Sequence, residues 1–137
     1  MSELANSLTN RHEMAEYSTE EKAEFAEHIE KRLKQFMLRC IQVFRKLPNT
    51  YEAQHFGKQL VRSSSSSACN YRAVRRSRSQ NEFFAKLSLT VEELDESIFW
   101  LDMLVFTEIV PAKRLADLID EGQQLLKILS KARSNTK

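Results

Sequence analysis

Arginine is the residue type in this sequence whose number and spacing most clearly suggest chemistry. Between residues 57 and 80 the chain has six basic and no acidic side chains. They are Lys58, Arg62, Arg72, Arg75, Arg76 and Arg78. A planar guanidinium can donate two parallel hydrogen bonds to one phosphate, so a dense arginine cluster is typical of phosphate binding. The four arginines from Arg72 to Arg78 are our primary candidates for phosphate contacts, with Arg62 and Lys58 secondary.

The segment that follows has the opposite charge, which offers a second interpretation. From residue 81 to residue 108 the chain has seven acidic residues and one basic residue. If the two segments form antiparallel helices, arginines and carboxylates could pair along the seam between them. Positive charge at a helix C-terminus also offsets the helix dipole, by about 0.3–1 kcal/mol per residue. Because Arg75, Arg76 and Arg78 fall near the connecting turn and most of the acids do not, an exposed basic tip also remains open.

Catalytic and metal-binding patterns are absent from the sequence. With two glycines, the chain has no room for a Gly-rich phosphate loop or a nucleophile elbow. His12, His28 and His55 lack second ligands at motif spacing. The carboxylates Glu92 and Glu96 lack the Glu-x-x-His partners of a di-metal bundle. We therefore expect a protein that is not an enzyme and has no metal and no cofactor.

Composition indicates which elements hold the arginines in place. A chain of 137 residues with two glycines and two prolines suits a single all-α domain with short connections. A net charge of +2 excludes a uniformly basic nucleic-acid binder, so such a role would depend on a local patch. Cys40 and Cys69 are expected to be buried free thiols. Without an apolar leader or a membrane span, we expect a cytoplasmic protein with no membrane contact.

Apolar periodicity divides the chain into four amphipathic helices. Three capping boxes predict the first three helix starts: Ser18 with Glu21, Asn49 with Glu52, and Ser79 with Glu82. Pro48 should end the first helix, and Pro111 should lie in the first turn of the fourth. Short connections make successive helices antiparallel, which predicts an up-down-up-down four-helix bundle over residues 18–133. Residues 1–17 and 134–137 are expected to be a flexible arm and a flexible tail.

The serine run from Ser63 to Ser67 interrupts neither the helical period nor the apolar stripe of the second helix. Serine costs a helix about 0.5 kcal/mol per residue relative to alanine, so tertiary packing must compensate. Small side chains let a neighbouring helix approach closely, or leave room for a ring such as Phe83, Phe84 or Trp100. The competing interpretation is a flexible serine-rich linker.

An ordered set of residues carries a resemblance to a known family. The set is Gln59-Leu60, Arg62-Ser63, Ser66, Asn70, Arg78-Ser79, Glu82-Phe83, Lys86-Leu87, Glu93, Glu96 and Trp100-Leu101. Over about residues 25–130 the chain resembles the bacterial four helix bundle protein family, also called the 23S rRNA-intervening sequence proteins. The resemblance implies a four-helix protomer, a homopentameric ring and no established biochemical activity. Relatives include the basic, pentameric accessory protein of diversity-generating retroelements, which partners a reverse transcriptase and nucleic acid.

Together these arguments favour a small cytoplasmic homo-oligomer that binds nucleic acid, foremost structured RNA, or a ribonucleoprotein partner. Binding would use the basic tip of the helix hairpin and would be electrostatic and independent of sequence. The alternative is a protein–protein interaction scaffold with no nucleic-acid contact. In that case the subunits would associate through Phe99 and Phe106, which lie off the main apolar stripe of the third helix.

Overall fold

The computed structural model describes residues 18–136, which form four helices joined by short turns. The helices are α1 (Thr19–Arg45), α2 (Tyr51–Arg75), α3 (Gln80–Phe106) and α4 (Ala112–Ser134). Successive helices pack against each other, and α1 also contacts α4, which closes the bundle. The predicted all-α four-helix bundle is confirmed. The predicted N-terminal arm, residues 1–17, lies outside the described residues, as does Lys137 of the predicted tail.

Side-chain caps explain where α1 and α3 begin. The Ser18 hydroxyl accepts a hydrogen bond from the Glu21 backbone N–H at 3.1 Å. The Ser79 hydroxyl accepts one from the Glu82 N–H at 3.0 Å. Each bond satisfies a backbone donor that has no partner within the helix. Both predicted helix starts are confirmed.

The start of α2 differs from the prediction by one residue. Thr50, and not Asn49, is the N-cap, and its hydroxyl accepts a hydrogen bond from the Ala53 N–H at 3.3 Å. Asparagine and threonine both serve as N-caps, so residue type did not decide between the two neighbours. Pro111 likewise takes the N-cap position of α4, in an extended conformation, and the first turn begins after it.

The core is formed by one stripe from each helix, and α2 contributes the smallest side chains. The largest fully buried residues are Phe36, Ile29, Leu33, Leu60, Leu87, Leu94, Leu101, Leu104, Leu125, Leu129 and Thr90. At the same depth, α2 presents Ser63, Ser64 and Ser67, each 0% exposed. The contact between α2 and α3 is the most extensive in the bundle. Close approach of these two helices is therefore built on small residues.

The serine run is helical, so the linker interpretation is wrong. The Ser97 hydroxyl of α3 donates a buried hydrogen bond to the Ser63 hydroxyl at 2.8 Å, and Ser67 donates to the Ser64 carbonyl at 2.7 Å. Helix α3 itself fills the space beside the serines, and Trp100 packs instead against Phe56, with ring centroids 5.7 Å apart. Ser63 and Ser64 donate in the same way to the Leu60 and Val61 carbonyls of α2, so backbone carbonyls and one contact between hydroxyls satisfy the buried serines and offset the cost of burying them.

Gly122 of α4 marks a second close approach and gives a stability prediction. A Cβ at this position would lie 2.9 Å from Phe36 Cε1 and 3.0 Å from Ile98 Cγ1. Overpacking of a rigid core costs about 1–3 kcal/mol, which outweighs the gain of about 1 kcal/mol from alanine's helix propensity. We expect Gly122→Ala to lower the urea midpoint, whereas exposed Gln123→Ala leaves it unchanged. Equal midpoints for the two variants would contradict this packing.

The two cysteines differ in burial, so the prediction that both are buried is wrong for one of them. Cys40 is buried beside the Ser64 hydroxyl, and burial raises the pKa of its thiol to about 12. Cys69 is exposed, because Ser67 and Ala68 take the two core-facing positions before it.

This difference predicts a split in thiol reactivity. The thiolate is the reacting species, so a buried thiol with a raised pKa reacts slowly. In the native protein we expect a disulfide reagent to titrate one thiol rapidly, and the second only after addition of denaturant. Cys69→Ser should abolish the rapid phase. Two thiols reacting at one rate in the native protein would contradict the assigned burial.

Candidate nucleic-acid interface

The arginine cluster lies at the end of the bundle where α2 turns into α3. Helix α2 ends at its C-cap Arg76, whose N–H donates to the Ala73 carbonyl at 3.1 Å. The Ser77 hydroxyl then donates to the Val74 carbonyl at 2.7 Å. These bonds satisfy the last carbonyls of α2, and Ser79 caps α3 immediately afterwards. The turn is thus short, and these bonds fix the backbone positions from which the arginine side chains extend.

The four arginines that the sequence analysis proposed for phosphate contacts lie at this end of the bundle. We call them the arginine tip: Arg72, Arg75, Arg76 and Arg78. All four are exposed. Arg75 alone forms a salt bridge, from Nη1 to Glu30 Oε1 of α1 at 3.3 Å. Across residues 18–136, no carboxylate lies within ion-pair distance of the other three. Three cations at this end therefore have no partner in the described part of the bundle.

Three of these arginines converge on one cleft. Arg72, Arg75 and Arg76 line an open cleft of ≈ 240 Å³ together with Glu30. The other oxygen of Glu30 is 3.4 Å from Lys34 Nζ, so one carboxylate is shared by two cations. Glu30 was missed by the sequence analysis, because only the packing of α1 against α2 brings it to the tip.

A second group of basic side chains lies at the same end. Lys131 and Arg133 are in the last turn of α4. The Gln80 side-chain amide of α3 donates to the Thr136 carbonyl at 3.1 Å, which joins the end of α4 to the start of α3. The bundle thus brings two basic regions that are distant in sequence to one end.

The two secondary candidates occupy different environments. Arg62 lies in the α2–α3 seam, 3.1 Å from Glu93 Oε2 and paired with Glu96 as well. Hydrogen bonds from the Trp100 indole and from Arg62 lower the pKa of the Glu96 carboxyl. Lys58 is exposed near the start of α2. The seam-pairing interpretation therefore describes Arg62, whereas the exposed-tip interpretation describes the arginines at the turn.

The opposite end of α2 and α3 carries exposed aromatic rings. This aromatic face consists of Tyr51, His55, Phe99, Trp100 and Phe106. Tyr51 is 86% exposed, Phe106 77% and Phe99 49%. Trp100 links the two helices, with ring centroids 4.9 Å from Phe99 and 5.9 Å from His55. Tyr51 and His55 were missed by the sequence analysis, although antiparallel packing necessarily places the start of α2 beside the end of α3.

An apolar groove lies between the end of α1 and the start of α4, with a volume of ≈ 330 Å³. Its apolar lining is Val43, Leu47, Pro48, Ile109, Val110, Leu115 and Leu118. Its charged lining residues, Arg39, Lys46 and Arg114, are all cationic. Helices α1 and α4 contact each other less extensively than the other neighbouring pairs do, which leaves this groove open.

Residues 18–136 contain no candidate metal site and no candidate membrane-spanning helix. Within residues 18–136, no three histidine, cysteine, aspartate or glutamate side chains are grouped so that they could hold a metal ion. None of the four helices combines the length and the apolar character needed to cross a membrane.

Comparison with known proteins establishes the family. Residues 27–131 match the model of the 23S rRNA-intervening sequence protein family. The chain belongs to this family. The match contains the whole arginine tip and the whole aromatic face, so both are placed on the bundle that defines the 23S rRNA-intervening sequence proteins. No curated protein matches the chain.

A solved structure supports the fold of this family member. It is a protein of unknown function from the S23 ribosomal protein family of Bacteroides thetaiotaomicron. The likeness has a TM-score of 0.73 at 22% identity and covers 80% of this chain and 97% of that one. At this identity the likeness establishes the four-helix architecture alone.

Proposed function

We propose that this family member is a non-enzymatic protein that binds structured RNA through its arginine tip. The observation that carries the proposal is that Arg72, Arg76 and Arg78 are exposed and have no carboxylate partner within residues 18–136. Unpaired cations on a compact end produce a local positive potential even when the whole chain has a net charge of only +2. The family description, which names 23S rRNA, favours RNA over DNA as the nucleic acid.

The chemistry of the tip points to backbone binding. Arginine forks are suited to phosphate oxygens, and Lys131 of α4 extends the positive surface beyond the α2–α3 turn. The tip is a short turn between helix ends and offers no free helix or ribbon that could enter a groove and contact base edges. Binding through it depends on phosphate position and salt concentration, and little on base sequence.

The test is a titration of a 3′-labelled RNA hairpin, followed by fluorescence anisotropy across a salt series. A DNA hairpin of the same sequence serves as the comparison. We expect micromolar or tighter RNA binding at about 50 mM salt, with log affinity falling linearly as log salt rises. No RNA binding at that salt concentration would contradict the proposed function and would leave the arginines a role within the bundle.

The aromatic face favours a second candidate, a scaffold whose subunits associate with one another. Exposed rings in one contiguous patch usually mark an interface. The same side of α3 also carries exposed acids, Glu92, Asp95 and Asp102. The apolar groove between α1 and α4 has the complementary character, with apolar walls and the cations Arg39, Lys46 and Arg114. We propose that the aromatic face of one protomer docks in this groove of the next, which makes a head-to-tail assembly.

The arginine tip and the aromatic face lie at opposite ends of α2 and α3, so RNA binding and self-association can be tested separately. An oligomer that binds no RNA would favour the scaffold alone. An oligomer that binds RNA would combine both surfaces, because a ring presents several copies of the arginine tip to one ligand and increases avidity. Sedimentation with and without RNA distinguishes these cases.

A further inference from the structure

The arginine tip contains a cleft that several charged side chains line. Arg72 and Arg75 lie on α2 and Arg76 is its C-cap; Arg75 and Arg76 follow Arg72 by three and four residues, so the three side chains emerge on one side of the helix end. All three line the same cleft of ≈ 240 Å³. A surface that binds the backbone of a continuous nucleic-acid strand would instead have its cations in a row, with one cation near each successive phosphate.

The charge in this cleft is larger than one phosphodiester requires. Glu30 is the only carboxylate among the cleft-lining residues, and it also pairs with Lys34. The three guanidinium groups and one carboxylate that line the cleft leave an excess of two positive charges around it. Like charges at such helical spacing repel one another, and a ligand that brings two negative charges relieves this repulsion most completely.

The end of a nucleic-acid strand supplies such a ligand. An internal phosphodiester carries a single negative charge. A phosphate monoester carries about −1.5 to −2 at pH 7 and offers three strong acceptor oxygens. Arginine forks can engage these oxygens in pairs. We propose that the cleft of Arg72, Arg75 and Arg76 binds the terminal phosphate monoester of an RNA strand; this inference rests on the proposed RNA-binding function.

The test compares unlabelled RNA hairpins as competitors against one labelled hairpin. The competitors have the same sequence and end in a 5′-phosphate, a 3′-phosphate or hydroxyls only. We expect at least one phosphorylated end to compete about tenfold better than the hydroxyl form. Preference for one end identifies which monoester fits, and equal preference for both indicates that the monoester alone is recognised. Either result supports recognition of a terminal monoester, and the variants then test whether the cleft provides it.

Two variants show where the preference arises. Arg72→Gln removes a cation that lines the cleft, whereas Arg78→Gln removes an exposed cation of the same tip that does not line it. We expect Arg72→Gln to abolish the preference for the phosphorylated end. Arg78→Gln should weaken all competitors alike and keep the preference.

The outcomes separate this inference from the proposed function. If the hydroxyl and phosphorylated hairpins compete equally while RNA still binds with a steep salt dependence, the terminal-phosphate inference is wrong and the proposed function stands. If no hairpin binds, the proposed function fails and the inference fails with it. A preference that survives Arg72→Gln would also overturn the assignment of this cleft.

Discussion

Removing two cations from the arginine tip is expected to weaken RNA binding about tenfold at about 50 mM salt. The variant is Arg76→Gln/Arg78→Gln. Neither side chain has an ion-pair partner within residues 18–136, so glutamine removes charge without stranding a carboxylate. Arg75 is left in place because its loss would leave Glu30 with one cation fewer. Each lost phosphate contact should also lower the slope of log affinity against log salt by about 0.7–0.9.

The matched control is Arg45→Gln/Lys113→Gln. It also removes two exposed cations from helix ends, but from the opposite end of the bundle. We expect its affinity and salt slope to equal those of the wild type, as measured by anisotropy across the same salt series. An equal loss of RNA affinity in both variants would mean that binding depends only on the total charge of the protein. The arginine tip would then not be the binding site.

Placing charge on the aromatic face is expected to dissociate any assembly of this chain. In Phe99→Asp/Phe106→Asp, each substitution removes a ring whose burial is worth about 1.5–3 kcal/mol and puts a carboxylate in an apolar contact. Because Phe99 is already about half-buried in the protomer, loss of the rings alone raises the subunit dissociation constant at least about tenfold. Sedimentation velocity should then show a monomer at concentrations where the wild type is an oligomer.

Ala85→Asp provides the control for added charge. Ala85 is exposed on α3 as well but lies near the arginine tip, several turns away from the aromatic face. This variant should keep the wild-type assembly. An oligomer retained by Phe99→Asp/Phe106→Asp would exclude the aromatic face as the interface. All three mutated residues are exposed, so we expect both variants to remain folded. Unchanged helical circular dichroism would show this.

The fold was predictable from the sequence because its signals are local and agree with one another. Leu87, Leu94 and Leu101 recur at helical spacing, and their burial follows directly from that period. Ser18 and Ser79 lie immediately before helices with such a stripe, and they are the N-caps of these helices. Where two capping residue types are adjacent, as at Asn49 and Thr50, the local signal no longer distinguishes them, and only the backbone geometry does.

The candidate site was only partly predictable, because its partners come from other helices. The arginine cluster is visible as a run of residues, but the role of Glu30 depends on how α1 packs against α2. Likewise, the contrast between Arg62, which is paired with α3, and Arg78, which is not, depends on the register of two helices. Helical periodicity predicts on which face of its helix a residue lies, but it does not predict which residue of a neighbouring helix it contacts.

Cross-linking of bound RNA to the chain tests the central claim most directly. A hairpin with photoreactive bases would be irradiated on the wild-type protein, and the modified peptides identified by mass spectrometry. We predict modified residues between positions 72 and 84 and around Lys131, the two segments that meet at the arginine tip. Cross-links concentrated at the opposite end, around positions 39–48 and 109–118, would contradict the account and transfer RNA binding to the cationic groove.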